Sequence, residues 1–67
     1  MSDETMDILI EVVNQACYMK ETIDGKEIEC LDSCALSSYA DALRYLESKG
    51  KVKIISQYGR RIIATWV

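Results

Sequence analysis

Three cysteines are the residues of this sequence best suited to metal or redox chemistry. Cys30 and Cys34 have a C-x-x-x-C spacing, which places two side chains on one face of a helix, and Cys17 stands apart from them. A structural zinc site needs four ligands, and the chain has no histidine to supply one. Only Cys17 and carboxylates are left to complete the set. We therefore expect no metal and no other cofactor, and buried thiols in a reducing compartment.

Enzymatic chemistry has little support in this sequence. There is no histidine, no glycine-rich phosphate loop and no pair of carboxylates at the spacing of a cleft. A chain of 67 residues is also small for enclosing a substrate pocket of ordinary size. We expect a single domain over residues 1–67 that is not an enzyme.

The apolar segments are too short for a membrane span. The longest runs, such as residues 8–10, hold three or four apolar residues, whereas a spanning helix needs about 20. No charged segment precedes an apolar stretch, so no signal peptide is expected. These observations predict a cytoplasmic protein without a membrane partner.

The charge of the chain is divided between its halves. Residues 1–32 hold two basic and nine acidic residues, net −7, whereas residues 33–67 hold six basic and two acidic residues, net +4. The overall charge of −3 hides this division. A basic half of this kind can face phosphates while the acidic half faces solvent or a partner.

A helix is predicted over residues 3–19, with Ser2 or Asp3 as its N-cap. One apolar stripe at helical spacing is the expected core face: Met6, Leu9, Ile10, Val13, Ala16 and Cys17. A second stripe lies on another face and consists of Ile8, Val12 and Met19. Since a surface helix needs only one apolar face, this stripe is either buried by the domain itself or a contact in a homodimer, and we favour the homodimer.

Residues 18–32 are compatible with two local structures. Asp24-Gly25 suits the type I′ turn of a β-hairpin. Alternatively, Asp24 caps a short helix, with Glu27 completing a capping box three residues later. Because polar and apolar residues mix on both faces of the hypothetical strands, we favour the short helix, preceded by a brief strand over residues 21–23.

A helix over residues 36–49 and a β-hairpin over residues 51–67 are predicted next. Ser33 or Ser37 can cap the helix, and Gly50 ends it in left-handed geometry. The chain then alternates polar and apolar residues, as a strand does. A three-residue loop at 57–59 would pair Ile54 with Ile62 and Val52 with Ala64. It would also place Ile55 and Ile63 on the face opposite these residues.

Residues 42–54, ALRYLESKGKVKI, resemble the end of the recognition helix and the first wing strand of winged helix-turn-helix transcription regulators. Upstream, residues 27–29 and the serine-bearing turn match the second helix and its turn. Downstream, Gly59-Arg60-Arg61 matches a basic wing. The resemblance covers residues 21–67. It implies an α+β winged helix-turn-helix fold with three helices and a C-terminal β-hairpin wing.

The resemblance also implies a function in transcription regulation by binding double-stranded DNA. A recognition helix enters the major groove, and a wing contacts the backbone. The residues at matching positions are Ser37, Ser38, Asp41, Arg44 and Tyr45 on the helix, and Lys51, Lys53, Arg60 and Arg61 on the wing. The alternative is a winged helix that binds a protein partner through Ile55, Ile63 and the acidic first half.

Overall fold

The computed structural model describes residues 3–67, with side chains from residue 4 onward. In this part of the chain, two helices alternate with two β-hairpins. The elements are α1 (Asp3–Cys17), β1 (Tyr18–Ile23), β2 (Lys26–Asp32), α2 (Ser37–Ser48), β3 (Val52–Tyr58) and β4 (Arg61–Trp66).

The fold is α+β, but the predicted winged helix-turn-helix is wrong. The described residues form two helices and a four-stranded antiparallel sheet in the order β1-β2-β4-β3. The sequence favours a short helix within residues 18–32, but the segment 26–32 is the strand β2. The predicted wing does exist as the β3–β4 hairpin, but its strand β4 pairs with β2. The hairpin is therefore half of the sheet rather than a free wing.

The turn at Asp24-Gly25 has the backbone geometry of a β-hairpin and not that of a helix. Both residues have positive φ, 54° for Asp24 and 77° for Gly25, as a type I′ turn requires. Ile23 pairs with Lys26 across the turn, and the ladder continues to Tyr18 and Leu31. A type I′ turn has the twist that antiparallel strands need, whereas a helix needs negative φ at both positions.

The loop of the second hairpin begins two residues later than the sequence predicts and is one residue shorter. Tyr58 pairs with Arg61, so the loop is Gly59-Arg60, and Gly59 has a φ of +62°. The register pairs Ile54 with Ala64 instead of Ile62. A β-bulge at residue 55 shifts the ladder by one residue, because residue 54 pairs with residue 64 and residue 56 with residue 63.

The two hairpins meet along a short seam in the middle of the sheet. Leu31 pairs with Ala64 and Asp32 with Ile63. Ser33 extends the seam, since its amide donates to the Ile62 carbonyl at 2.9 Å and its hydroxyl accepts from the Ile62 amide at 2.9 Å. The Ser33 hydroxyl is therefore occupied by β4 and does not cap α2.

Both helices pack on one face of the sheet. Residues opposite one another in an antiparallel ladder share a face, so the register separates the two faces. The helix-covered face supplies Leu31, Val52, Ile62 and Ala64 to the core. The helices contribute Val13, Cys17, Ala40, Leu43 and Leu46. No described helix covers the other face, which we call the open face.

Helix α1 is shorter than predicted and runs directly into β1. It ends at Cys17, so Met19 lies in β1 rather than on the helix. Ala16, expected in the core, is exposed. The predicted capping by Ser2 or Asp3 lies outside the side chains that the structure describes. No described helix is long and apolar enough to cross a membrane.

Helix α2 begins without a capping side chain. Its N-cap is Leu36, which is 52% exposed, and neither Ser33 nor Ser37 caps the helix. At the other end Gly50 takes a φ of +73° and its amide donates to the Glu47 carbonyl, which confirms the predicted glycine stop. The backbone amides in the first turn of α2 therefore have no capping side chain, and a side chain that accepts from them would stabilise the helix.

Replacing Leu36 with aspartate should stabilise the fold. Leu36 already has the extended backbone of an N-cap, with φ −87° and ψ 122°, so the new carboxylate can accept a hydrogen bond from the first turn of α2. We expect the free energy of unfolding in urea to rise by about 1 kcal/mol. Leu36→Ala is the control and should not raise it, since alanine cannot cap. Equal stabilities of the two variants would contradict this account.

Candidate functional site

The open face of the sheet is a groove whose two walls are the edge strands. The groove has a volume of about 490 Å³. Residues 21–23 of β1 form one wall and Ile55, Ser56 and Tyr58 of β3 form the other, while Arg61 and Ile63 of β4 contribute from between them. Since β1 and β3 lie at opposite ends of the strand order, the sheet must curl for both to line one cavity.

Contacts across the sheet show the same curl. The terminal nitrogen Nη2 of Arg61 on β4 lies 2.9 Å from Oε1 of Glu21 on β1, although β2 stands between these two strands. Ile63 is only 5% exposed and Cys30 only 3%, although no described helix covers their face. The curled sheet itself therefore buries the centre of the open face.

A cluster of three charged side chains lies beside this groove. Asp32 is 1% exposed, and both of its carboxylate oxygens accept from Arg61: Nε is 2.9 Å from Oδ2 and 3.2 Å from Oδ1. Arg61 Nη2 also donates to both Asp32 and Glu21. Bidentate pairing of this kind is the strongest form of an arginine–carboxylate interaction. The cluster therefore links β1, β2 and β4.

The environment of Asp32 stabilises its charged form. Burial acts to raise the pKa of this carboxyl, but the hydrogen bonds from Arg61 and from the Cys34 amide outweigh it and lower the pKa. The Cys34 amide donates to Asp32 Oδ1 at 2.8 Å. In turn, Asp32 raises the pKa of Arg61 through its hydrogen bond and charge. The pair is therefore ionised at neutral pH.

The residues predicted to read DNA from the helix lie on the outer side of α2. Ser37 and Ser38 are exposed in its first turn. Asp41 and Arg44 form an i,i+3 ion pair with 3.7 Å between Oδ1 and Nη1. Tyr45 lies beside Lys49, whose Nζ is 5.5 Å from the ring centroid. The positive charge of Arg44 is thus offset within the helix itself.

Two of the four residues predicted to contact DNA from the wing lie on the side of the sheet opposite α2. Lys53 pairs with Thr65, and Arg61 with Tyr58, so both project from the open face, while α2 packs on the opposite face. Arg61 is also held by Asp32 and Glu21. Lys51 and Arg60 are exposed beyond the strand ends. The structure therefore separates Lys53 and Arg61 from the predicted contacts on α2.

The predicted dimer stripe is also divided. Ile8 and Val12 are 56% and 47% exposed on α1, whereas Met19 is half-buried in β1 and paired with Cys30 on the open face. The three residues do not form a single surface, because α1 ends before Met19. A homodimer through Ile8 and Val12 stays a prediction.

Sequence reasoning missed Asp32 and Glu21 as members of one cluster. From the sequence both contribute only to the acidic charge of the first half, and the winged-helix resemblance predicts a phosphate contact for Arg61. A signal was present, since Asp32 directly follows two apolar residues of a strand and precedes a polar turn. This position in the sequence indicates a buried carboxylate, but only the β2–β4 register shows that Arg61 is the side chain that pairs with it.

The cysteines show no sign of a metal centre in the described part of the chain. Cys17 and Cys30 are buried and Cys34 is exposed, all as free thiols. Burial raises the pKa of Cys17 and of Cys30, so both stay protonated at neutral pH. Within residues 3–67, no group of three or more cysteine or acidic side chains is placed to hold a metal ion.

Comparisons with models of protein families, with curated proteins and with solved structures gave no match to this chain.

Replacing Asp32 with asparagine should destabilise the fold strongly. The change removes a buried carboxylate whose hydrogen bonds to Arg61 and to the Cys34 amide are charge-assisted, and losing such bonds costs about 2 kcal/mol in unfolding free energy. Arg61 itself is 45% exposed, so no unpaired charge is left buried. Glu21→Gln is the matched control, because the Glu21–Arg61 pair is more exposed and is worth about 0.5 kcal/mol. Urea unfolding of both variants measures the difference. A loss for Asp32→Asn no larger than that for Glu21→Gln would refute the structural role of Asp32.

Acid should remove the contribution of Asp32 to the free energy of unfolding in a defined pH range. Its pKa is lower in the folded than in the unfolded chain, where an aspartate titrates near about 3.9. The stabilisation is therefore fully present above that pH and is lost as the pH falls through the lower, folded value. Urea unfolding at pH 6, 4 and 3 should show the gap between wild type and Asp32→Asn narrowing at the lowest pH. A gap of constant size would contradict the assignment.

Proposed function

We propose that this chain is a protein-interaction module that binds an extended peptide segment in the groove of the open face. The observation that carries the proposal is the pair of edge strands, β1 and β3, which line one cavity from opposite sides. Protein binding is also the alternative function that the sequence suggests, although on a curled sheet instead of a winged helix. It retains Ile55 and Ile63 as contacts.

The backbone of the groove suits a peptide better than it suits a compact ligand. An edge strand presents a row of amide and carbonyl groups that a further strand can pair with. Addition of a partner strand to a sheet edge is a recurrent mode of peptide recognition. In this groove a bound strand would find one such edge on either side. Its volume of about 490 Å³ lies within the usual range for binding sites, about 300–1,000 Å³.

The side chains of the groove define the chemistry of the peptide. Ile23 and Ile63 are largely buried, while Ile55 is 39% and Tyr58 67% exposed. These residues offer apolar contact area along both walls and the floor. In an extended peptide every second side chain points to the same side. The preferred ligand is therefore a strand with apolar residues at alternate positions.

DNA binding has less support in this geometry. Its structural basis was the winged helix-turn-helix fold, which the chain does not have. The predicted contacts lie on two sides of the sheet, and Arg61 is engaged by two carboxylates. The basic second half of the sequence still motivates a direct comparison, so duplex DNA is included as a competing ligand in the experiment.

The experiment is a selection of random twelve-residue peptides displayed on phage, followed by titration of synthetic copies of the selected peptides. We expect enrichment of peptides with apolar residues in alternate positions. Amide NMR shifts on binding should concentrate at residues 21–23 and 55–58. The Ile55→Lys variant should bind at least tenfold more weakly, since burying a charge in the groove opposes binding.

Ile8→Lys is the matched control, because Ile8 is equally apolar and more exposed but lies on α1, away from the groove. It should bind like the wild type. Selected peptides that bind Ile55→Lys and wild type equally would overturn the proposal. So would duplex DNA binding that weakens steeply with salt and with Arg60→Ala, in the absence of any selected peptide.

A further inference from the structure

A second cavity, separate from the groove, lies at the end of the sheet near the C-terminal part of α1. Its volume is about 260 Å³. It is lined by Asn14 of α1, Tyr18 of β1, Glu29 of β2 and Trp66 of β4, together with Cys30. Tyr18 and Trp66 are 45% and 39% exposed, so both rings keep accessible surface beside the cavity. Two aromatic rings and a carboxylate thus converge on one small space.

Hydrogen bonds fix the positions of these side chains. The Tyr18 hydroxyl donates to Glu29 Oε1 at 3.1 Å, and the Trp66 indole nitrogen donates to Asn14 Oδ1 at 3.3 Å. The second carboxylate oxygen of Glu29 is left for another donor. The aromatic groups are held by partners of their own, so the cavity is formed before any ligand enters.

The electrostatics of the cavity favour a cation. Desolvation is the largest cause of the raised pKa of Tyr18, and the hydrogen bond to Glu29 and the charges of Glu29 and Glu27 raise it further. These two carboxylates place negative charge near the hydroxyl. Lys20 stands opposite Glu29 in the β1–β2 ladder, but the ion pairs found in residues 3–67 are those of Arg44 and Arg61. The charge of Glu29 is therefore not offset by an ion pair within that range.

We propose that the cavity between Tyr18, Trp66 and Glu29 binds an organic ammonium group, with the aromatic rings contacting the cation and Glu29 balancing its charge. Aromatic faces attract ammonium groups through the quadrupole of the ring, most strongly tryptophan. A carboxylate next to the rings adds a direct charge interaction. The ammonium group can belong to a small free amine or to the side chain of a lysine.

The experiment uses Trp66 as its reporter, because it is the only tryptophan of the chain. Its fluorescence is titrated with choline, with the neutral isostere 3,3-dimethylbutan-1-ol and with Nα-acetyl-lysine N-methylamide at constant ionic strength. We expect saturable changes with the cations and binding of the isostere at least tenfold weaker. The tighter of the two cations identifies the source of the ammonium group.

Variants locate the site. Glu29→Gln should weaken binding of the tighter cation about tenfold, whereas Glu27→Gln, two residues along the same strand and equal in charge change, should alter it less than threefold. Circular dichroism establishes that both variants are folded. Trp66→Leu, followed by NMR in place of fluorescence, should abolish binding. The proposal is overturned if neither cation saturates, if the isostere binds as well as choline, or if Glu29→Gln binds like Glu27→Gln.

Discussion

The buried carboxylate of Asp32 is the constraint on which the remaining structure depends. It joins β2 to β4 through Arg61, reaches β1 through the contact of Arg61 with Glu21, and holds the turn before α2 through the Cys34 amide. A buried charge is tolerated only when it is paired. Apolar residues of similar volume can stabilise a core as well as an ion pair does. The cluster fixes the register in which β2 pairs with β4, because a slip of one residue would turn the Asp32 side chain into the apolar core.

Residues 3–67 form two units of the same type. Each consists of a helix followed by a β-hairpin, and the two hairpins meet through their second strands, which gives the order β1-β2-β4-β3. No sequence repeat accompanies this arrangement. The two units also differ in detail, since α1 passes into β1 without a loop while Gly50 separates α2 from β3. The equivalence of β1 and β3 places both at sheet edges, and the curl brings them to the same groove.

Local signals in the sequence were sufficient to predict α1, α2, the glycine that ends α2, and the apolar face of β3 and β4. Their apolar periodicity and the glycine at position 50 act within a few positions of the chain. The strand β2 could not be assigned in the same way, because residues 26–32 carry a capping box as well as a hairpin turn. Pairing with β4, about thirty residues away in the chain, adds stability to the strand, and this long-range contact leaves no signal in the local sequence. The same long-range pairing decides where Arg61 points, and hence the composition of the groove. The resemblance to a winged helix rested on a helix–glycine–strand sequence that this fold shares.

The short seam between the hairpins has a consequence for the order of folding. Each hairpin closes through a loop of two residues and can form from local contacts alone. The pairs Leu31–Ala64 and Asp32–Ile63, in contrast, require both hairpins to be present first. Closing a long loop before any long-range contact forms is the entropic step that slows folding of sheet proteins. We expect the docking of two preformed halves to be the rate-limiting event, with the centre of the sheet as the last part to assemble.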